Sequence, residues 1–131
     1  MHYCNISHLG YEESIRILTE SIPDINNITC QIDFDADHSR SKIIRDFVGI
    51  IFDLHSVHRP WRGRFILITD ELINNAIEHG STPGDIDSCM IEAGTNDNNE
   101  FYIALEVHDT GCGIDAKDAK DMQEIRNNRL K

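Results

Sequence analysis

Hydrophobic positions along this chain fall into two periods. Over residues 11–22, Ile15, Leu18 and Ile22 recur at helical spacing and predict a short amphipathic helix. Ile28, Cys30, Ile32 and Phe34 alternate strictly with polar neighbours, the pattern of a half-buried strand. From about residue 40 to 55 the helical period returns through Ile43, Phe47, Ile50, Ile51 and Leu54, with Asp37 or Ser39 as candidate cap. Arg59-Pro60-Trp61-Arg62-Gly63 interrupts it, and a second, stronger helix is expected over residues 64–79, ended by Gly80. Two further strands, near 86–93 and 100–108, flank the loop Gly94-Thr95-Asn96-Asp97-Asn98-Asn99 and predict a hairpin. In the second of them Phe101, Ile103, Leu105 and Val107 share one face, while Tyr102, Ala104, Glu106 and His108 take the other. The order helix, strand, helix, helix, strand, strand predicts an α+β fold, a two-layer sandwich with helices packed on one face of a mainly antiparallel sheet.

Composition narrows the function classes. With 131 residues, 40% hydrophobic and 27% charged, the chain is expected to form one domain with its own core. Its net charge of −11 argues against non-specific nucleic-acid binding, which needs cations to displace phosphate counterions, and against anionic membrane surfaces. No apolar run approaches a membrane span, and Met1-His2-Tyr3-Cys4-Asn5 lacks the basic-then-apolar order of a secretory signal. A cytoplasmic location is therefore expected, with Cys4, Cys30, Cys89 and Cys112 as reduced thiols. His55 and His58 are the one close pair of zinc-ligand type, and surface histidines are the expected reading.

The charge is unevenly spread. Residues 1–39 carry one base and seven acids, and residues 65–131 carry five bases and fourteen acids. Between them, residues 40–64 carry six bases, Arg40, Lys42, Arg45, Arg59, Arg62 and Arg64, against Asp46 and Asp53. That basic stretch suits either an acidic or phosphate-bearing partner, or a solvated helix face with its connecting loop.

Two local patterns carry candidate chemistry. In Phe65-Ile66-Leu67-Ile68-Thr69-Asp70-Glu71-Leu72-Ile73-Asn74-Asn75-Ala76-Ile77-Glu78-His79-Gly80, the apolar stripe is Phe65, Leu72, Ile73, Ala76 and Ile77. Glu71, Asn75 and Glu78 stack on the opposite side, with Asn74 at the edge of the group. Spacing alone is satisfied by a solvated face. The chemistry also suits a site: an amide oxygen is a hard neutral ligand for Mg²⁺, which binds substrate phosphates, and a carboxylate one turn away can take a proton from an attacking hydroxyl. The second pattern, Val107-His108-Asp109-Thr110-Gly111-Cys112-Gly113-Ile114, follows an apolar strand. Its glycines permit close backbone approach to a ligand, and Asp109 can accept a hydrogen bond from a ligand amine; an ordinary Asx-type turn has the same sequence.

Taken together, Glu71-Leu72-Ile73-Asn74-Asn75-Ala76-Ile77-Glu78-His79-Gly80 and, after a hairpin, Asp109-Thr110-Gly111-Cys112-Gly113-Ile114 resemble the GHKL (Bergerat-fold) ATP-binding superfamily, which includes gyrase B, histidine kinases and small serine kinases. The helix ending Asn75-Ala76-Ile77-Glu78-His79-Gly80 looks most like the anti-sigma-factor serine/threonine kinases. The resemblance covers roughly residues 28–114. It implies ATP and Mg²⁺ as cofactors, Glu71 as catalytic base, Asn75 as the Mg²⁺ ligand, and Asp109, Gly111, Gly113 and Ile114 as nucleotide-binding residues, with Asn74, Glu78 and His79 as further possible site residues. It also implies a sigma factor and an antagonist protein as partners, and a homodimer.

Residues 115–131 contain no glycine, so the second glycine-rich box of such domains is not found there, and the resemblance implies a Bergerat fold lacking its C-terminal part. Residues 1–25 would then be an N-terminal extension with a helix, and 115–131 a lid-like tail. The competing readings are a non-catalytic binding module on the same fold, or an ATPase or histidine-kinase catalytic-domain fragment.

Overall fold

Strict alternation in the strands decides the layering. The computed structural model describes residues 2–58, 60–82 and 84–109. Its elements are β1 (His2–Asn5), α1 (Tyr11–Glu20), β2 (Asn27–Asp35), α2 (Ser39–Leu54), α3 (Trp61–His79), β3 (Ile86–Thr95) and β4 (Phe101–His108). The four strands form one sheet in the order β1-β2-β3-β4, with β1 parallel to β2 and the other pairs antiparallel. Ile28, Cys30, Ile32 and Phe34 of β2, Cys89, Ile91 and Ala93 of β3, and Ile103, Leu105 and Val107 of β4 are all buried. They form one core with Ile43, Ile44, Phe47, Val48, Ile51 and Phe52 of α2, Phe65, Ile73, Ala76 and Ile77 of α3, and Leu18 of α1. Of the alternate strand positions, Thr29, Gln31, Ser88, Met90, Tyr102 and Glu106 are partly buried and Glu92 and His108 exposed, while Ala104 is buried. The protein is thus α+β with three helices and an open mixed sheet, an arrangement consistent with a two-layer sandwich.

Two boundaries differ from those expected. Residues 2–5 are a strand of the sheet, not part of an extension: Cys4 pairs with Ile32 and is 5% exposed. Four residues alternate too briefly to announce a strand, and a parallel partner is supplied only by the fold. Helix α3 begins at Trp61, not residue 64, because Pro60 at its N-cap has φ −57° and ψ −33° and lacks only an N–H that a helix start does not use. Ser39 opens α2, and Asp37 Oδ1 accepts its N–H at 2.9 Å, which holds the Asp37 carboxyl below its usual range.

Loops are fastened by side chains. Asn96 Oδ1 accepts the N–H groups of Asn98 and Glu100 at 2.9 Å each, closing the β3–β4 turn. Gly94 must lack a side chain, because a Cβ there would fall 2.1 Å from Asn26 O. Arg40 and Asp35, each 7% exposed, form an ion pair at 2.8 Å. Arg40 Nη1 also donates to Leu9 O at 2.5 Å, and His8 N–H donates to Asp35 Oδ1 at 3.1 Å, so this pair ties the β1–α1 loop to the β2–α2 turn. Burial pushes the Asp35 carboxyl up, but the His8 N–H and the guanidinium outweigh it and hold it below the usual carboxylate range.

The basic stretch finds much of its counter-charge within the molecule. Besides Arg40, Lys42 pairs with Asp46 at 2.8 Å, Arg45 lies 3.7 Å from both Asp46 and Asp70, and Arg62 pairs with Asp53 at 2.8 Å. Arg62 also donates to Val57 O and Gly49 O. Arg59 lies outside the described residues. Among the described residues no helix is long and apolar enough to cross a membrane. Cys4, Cys30 and Cys89 are free thiols in the core; burial, with Cys4 nearby, pushes the Cys30 thiol up to about 12, and burial raises Cys89 well above the ordinary range.

Candidate functional site

The orientation of α3 about its axis decides which of its polar residues are available. Phe65, Thr69, Ile73, Ala76 and Ile77 are buried toward the core, and Thr69 satisfies its hydroxyl by donating to Phe65 O at 2.9 Å. Contacts to α2 mark one flank. Arg45 reaches Asp70, and His38, at the N-cap of α2, meets Asn74 Oδ1 through Nδ1 at 2.9 Å and Glu78 Oε1 through Nε2 at 3.5 Å. His79 is exposed, with its Nε2 3.6 Å from Glu78 Oε2.

The polar residues of this helix differ in their contacts. Asn74 and Glu78 face His38 and help clamp α3 to the start of α2. Helical rotation of about 100° per residue turns Asn75 well round from the α2-facing Asp70, with Glu71 one turn before it. Both Glu71 and Asn75 are exposed.

The C-terminal end of α3 meets the end of β4. A Cβ built on Gly80 would fall 1.7 Å from Asp109 Oδ2 and 2.3 Å from its Cγ, so the Asp109 carboxyl occupies the space a side chain would need. Asp109 directly follows His108, the last residue of β4. At about 1.5 Å rise per residue, Asn75 stands about 7–8 Å along the helix from this contact, and Glu71 about 13–14 Å. Gly111, Gly113 and Ile114 lie outside the described residues, so of the second pattern Val107, His108 and Asp109 are described.

The loop after α3 holds this end in place. Ser81 Oγ lies 2.9 Å from Ala76 O and 2.6 Å from Asp87 Oδ1. Asp85 Oδ2 accepts from Thr82 N and Oγ1, both at 2.8 Å, and Asp85 O accepts from Ala36 N at 2.8 Å. This last bond joins the loop to the turn that the Arg40–Asp35 pair secures.

Sequence reasoning did not single out Ser81, Asp87 or His38. Asp87 had a readable signal: it is in phase with the buried Cys89, Ile91 and Ala93, and a carboxylate at a core position asks for a partner. His38 had none, because its contacts to Asn74 and Glu78 join separate helices. Comparison with known proteins finds no matching family model, no matching curated protein and no matching solved structure.

Proposed function

We propose that this chain is a Bergerat-type ATP-binding protein, acting as an anti-sigma-factor serine/threonine kinase that holds a sigma factor and phosphorylates an antagonist protein on serine. The observation that carries the reading is the meeting of Gly80 with Asp109. An E-x-x-x-N helix and the aspartate opening a D-x-G-x-G turn are unrelated in chain position, and a nucleotide site on this plan needs them side by side.

In this reading Asp109 accepts the exocyclic amine of adenine, which distinguishes adenine from guanine, and Gly111, Gly113 and Ile114, outside the described residues, are the further nucleotide-binding residues that the resemblance implies. Asn75 supplies an amide oxygen to Mg²⁺. The ion would neutralise phosphate charge, and because Mg²⁺ usually keeps several waters and takes few protein ligands, it would not require a cluster of side-chain ligands. Glu71 takes the proton from the serine hydroxyl as that oxygen attacks the γ-phosphorus, and the bond to the ADP leaving group breaks. Asn74 and Glu78 act indirectly, by holding α3 against His38, and His79 stands beside them. Exposure of Glu71 and Asn75 leaves room for a protein substrate. A homodimer in the cytoplasm completes the proposal.

Calorimetric titration with ATP and ADP, each with and without Mg²⁺, tests it on wild type and Asn75→Ala. Magnesium-dependent binding that the variant loses is the expected result, with serine phosphorylation of a partner as the next assay. If neither nucleotide binds, the kinase reading fails and a non-catalytic docking module takes its place.

A further inference from the structure

The exposed face of α3 carries an apolar interruption. Arg64, Leu67, Glu71 and Asn75 succeed one another at spacings of three and four residues and are all exposed, so they form one outward stripe. Leu67 is 58% exposed, the most exposed large aliphatic side chain among the described residues. Arg64 differs from the other described Arg and Lys residues. Arg16, Arg40, Lys42, Arg45 and Arg62 each reach a carboxylate, whereas among the described residues Arg64 makes no ion pair.

Distances along the helix give this stripe a direction. At about 1.5 Å rise per residue, Leu67 stands about 6 Å and Arg64 about 10–11 Å before Glu71, on the side away from the contact of Gly80 with Asp109. In the nucleotide reading, adenine lies at Asp109, the phosphates at Asn75 and the attacking serine oxygen at Glu71. Phosphoryl transfer keeps the attacking and leaving oxygens roughly in line. The acceptor therefore arrives from the side opposite ADP, which is the half of α3 that carries Leu67 and Arg64. An extended segment advances about 3.3 Å per residue, so with its serine at Glu71 it brings its second neighbour to Leu67 and its third or fourth to Arg64.

We propose that Leu67 and Arg64 are docking residues for the phosphoacceptor segment of the protein substrate, and that this segment carries an apolar residue two positions from its serine and an acidic residue three or four positions away on the same side. Leu67 covers the apolar side chain, and Arg64 supplies the charge opposite the acid. On a chain of net charge −11, an unpaired cation beside the transfer site draws an acidic segment to one place. The inference rests on the nucleotide reading above and goes beyond it in naming the substrate class.

The test is phosphate transfer from ATP, with Mg²⁺, to a positional-scanning library of serine peptides, using the whole chain as wild type, Leu67→Ala and Arg64→Glu. Wild type should select the apolar residue and the acid at those positions. Leu67→Ala should raise KM for the best peptide about 10-fold and leave kcat within about twofold. Arg64→Glu should exchange the acidic preference for a basic one, an inversion that a merely structural role for Arg64 would not produce. Wild type without these preferences overturns the proposal, as does either variant behaving as wild type. Calorimetric titration of the same samples with ATP separates this inference from the reading it rests on. ATP binding without phosphorylation of any peptide overturns the docking surface and keeps the nucleotide site; absence of ATP binding in wild type overturns both.

Discussion

Arg40→Met keeps most of the side chain's length and removes its guanidinium. The loss falls on two contacts, the 2.8 Å pair with Asp35 and the 2.5 Å bond to Leu9 O. Asp35 keeps the His8 N–H at 3.1 Å but stays in a site where it is 7% exposed. Removing one partner of a buried pair costs about 3–5 kcal/mol, because the other charge remains without compensation, whereas an exposed pair contributes about 0–1 kcal/mol. The retained backbone donor places the expected loss near the lower end, about 3 kcal/mol. Against a total stability of about 5–15 kcal/mol, that is a large shift in the urea midpoint.

Trp61, the single tryptophan, packs on Phe52 with ring centroids 5.6 Å apart and supplies the fluorescence signal. The pH dependence has a definite sign. The Asp35 carboxyl lies below its ordinary range in the folded protein, so its contribution is complete above the unfolded value of about 3.9 and is lost as pH falls through the lowered folded value. The difference between wild type and Arg40→Met should therefore be largest near neutrality and shrink in acid. A loss below about 1 kcal/mol at neutral pH, or one of equal size in acid, would refute the buried-pair argument.

Four further outcomes are expected. Glu71→Ala should retain ATP binding and lose phosphoryl transfer by about 10²-fold or more, and full activity in a partner-phosphorylation assay would remove Glu71 as the base. Asp109→Asn should weaken ATP by about 10-fold or more in calorimetry, consistent with loss of a charged acceptor; unchanged affinity would place the base elsewhere. Gly80→Ala should cost about 1–3 kcal/mol in urea unfolding and weaken adenine nucleotides as well, because the new Cβ would fall 1.7 Å from Asp109 Oδ2. Cys30 and Cys89, whose burial raises their thiols, should react with an alkylating reagent at neutral pH only as fast as the core opens; labelling that matches a free thiol in the native protein would contradict their placement.

Much of the fold was legible along the chain because backbone geometry converts local periodicity directly into local structure. The alternation in 28–34 and 101–107 and the 3.6-residue recurrence in 43–54 and 65–77 determined the type of each of those elements and which face it buries. The same periodicity presented Glu71, Asn74, Asn75 and Glu78 as one polar face, since spacing on a single helix carries no information about the neighbouring one.

What the tertiary structure decided is which groups meet. His38 reaches Asn74 and Glu78 from the start of α2. His2–Asn5 becomes a strand because β2 offers it a parallel edge. Arg40, read along the chain as one cation of a basic stretch, is buried against Asp35 and Leu9. Gly80, readable as a helix terminator, leaves the space that Asp109 fills. Each of these is a contact between distant segments, and its energy is set by burial and by the charge or hydrogen bond opposite, quantities that exist only once the helices have settled on the sheet.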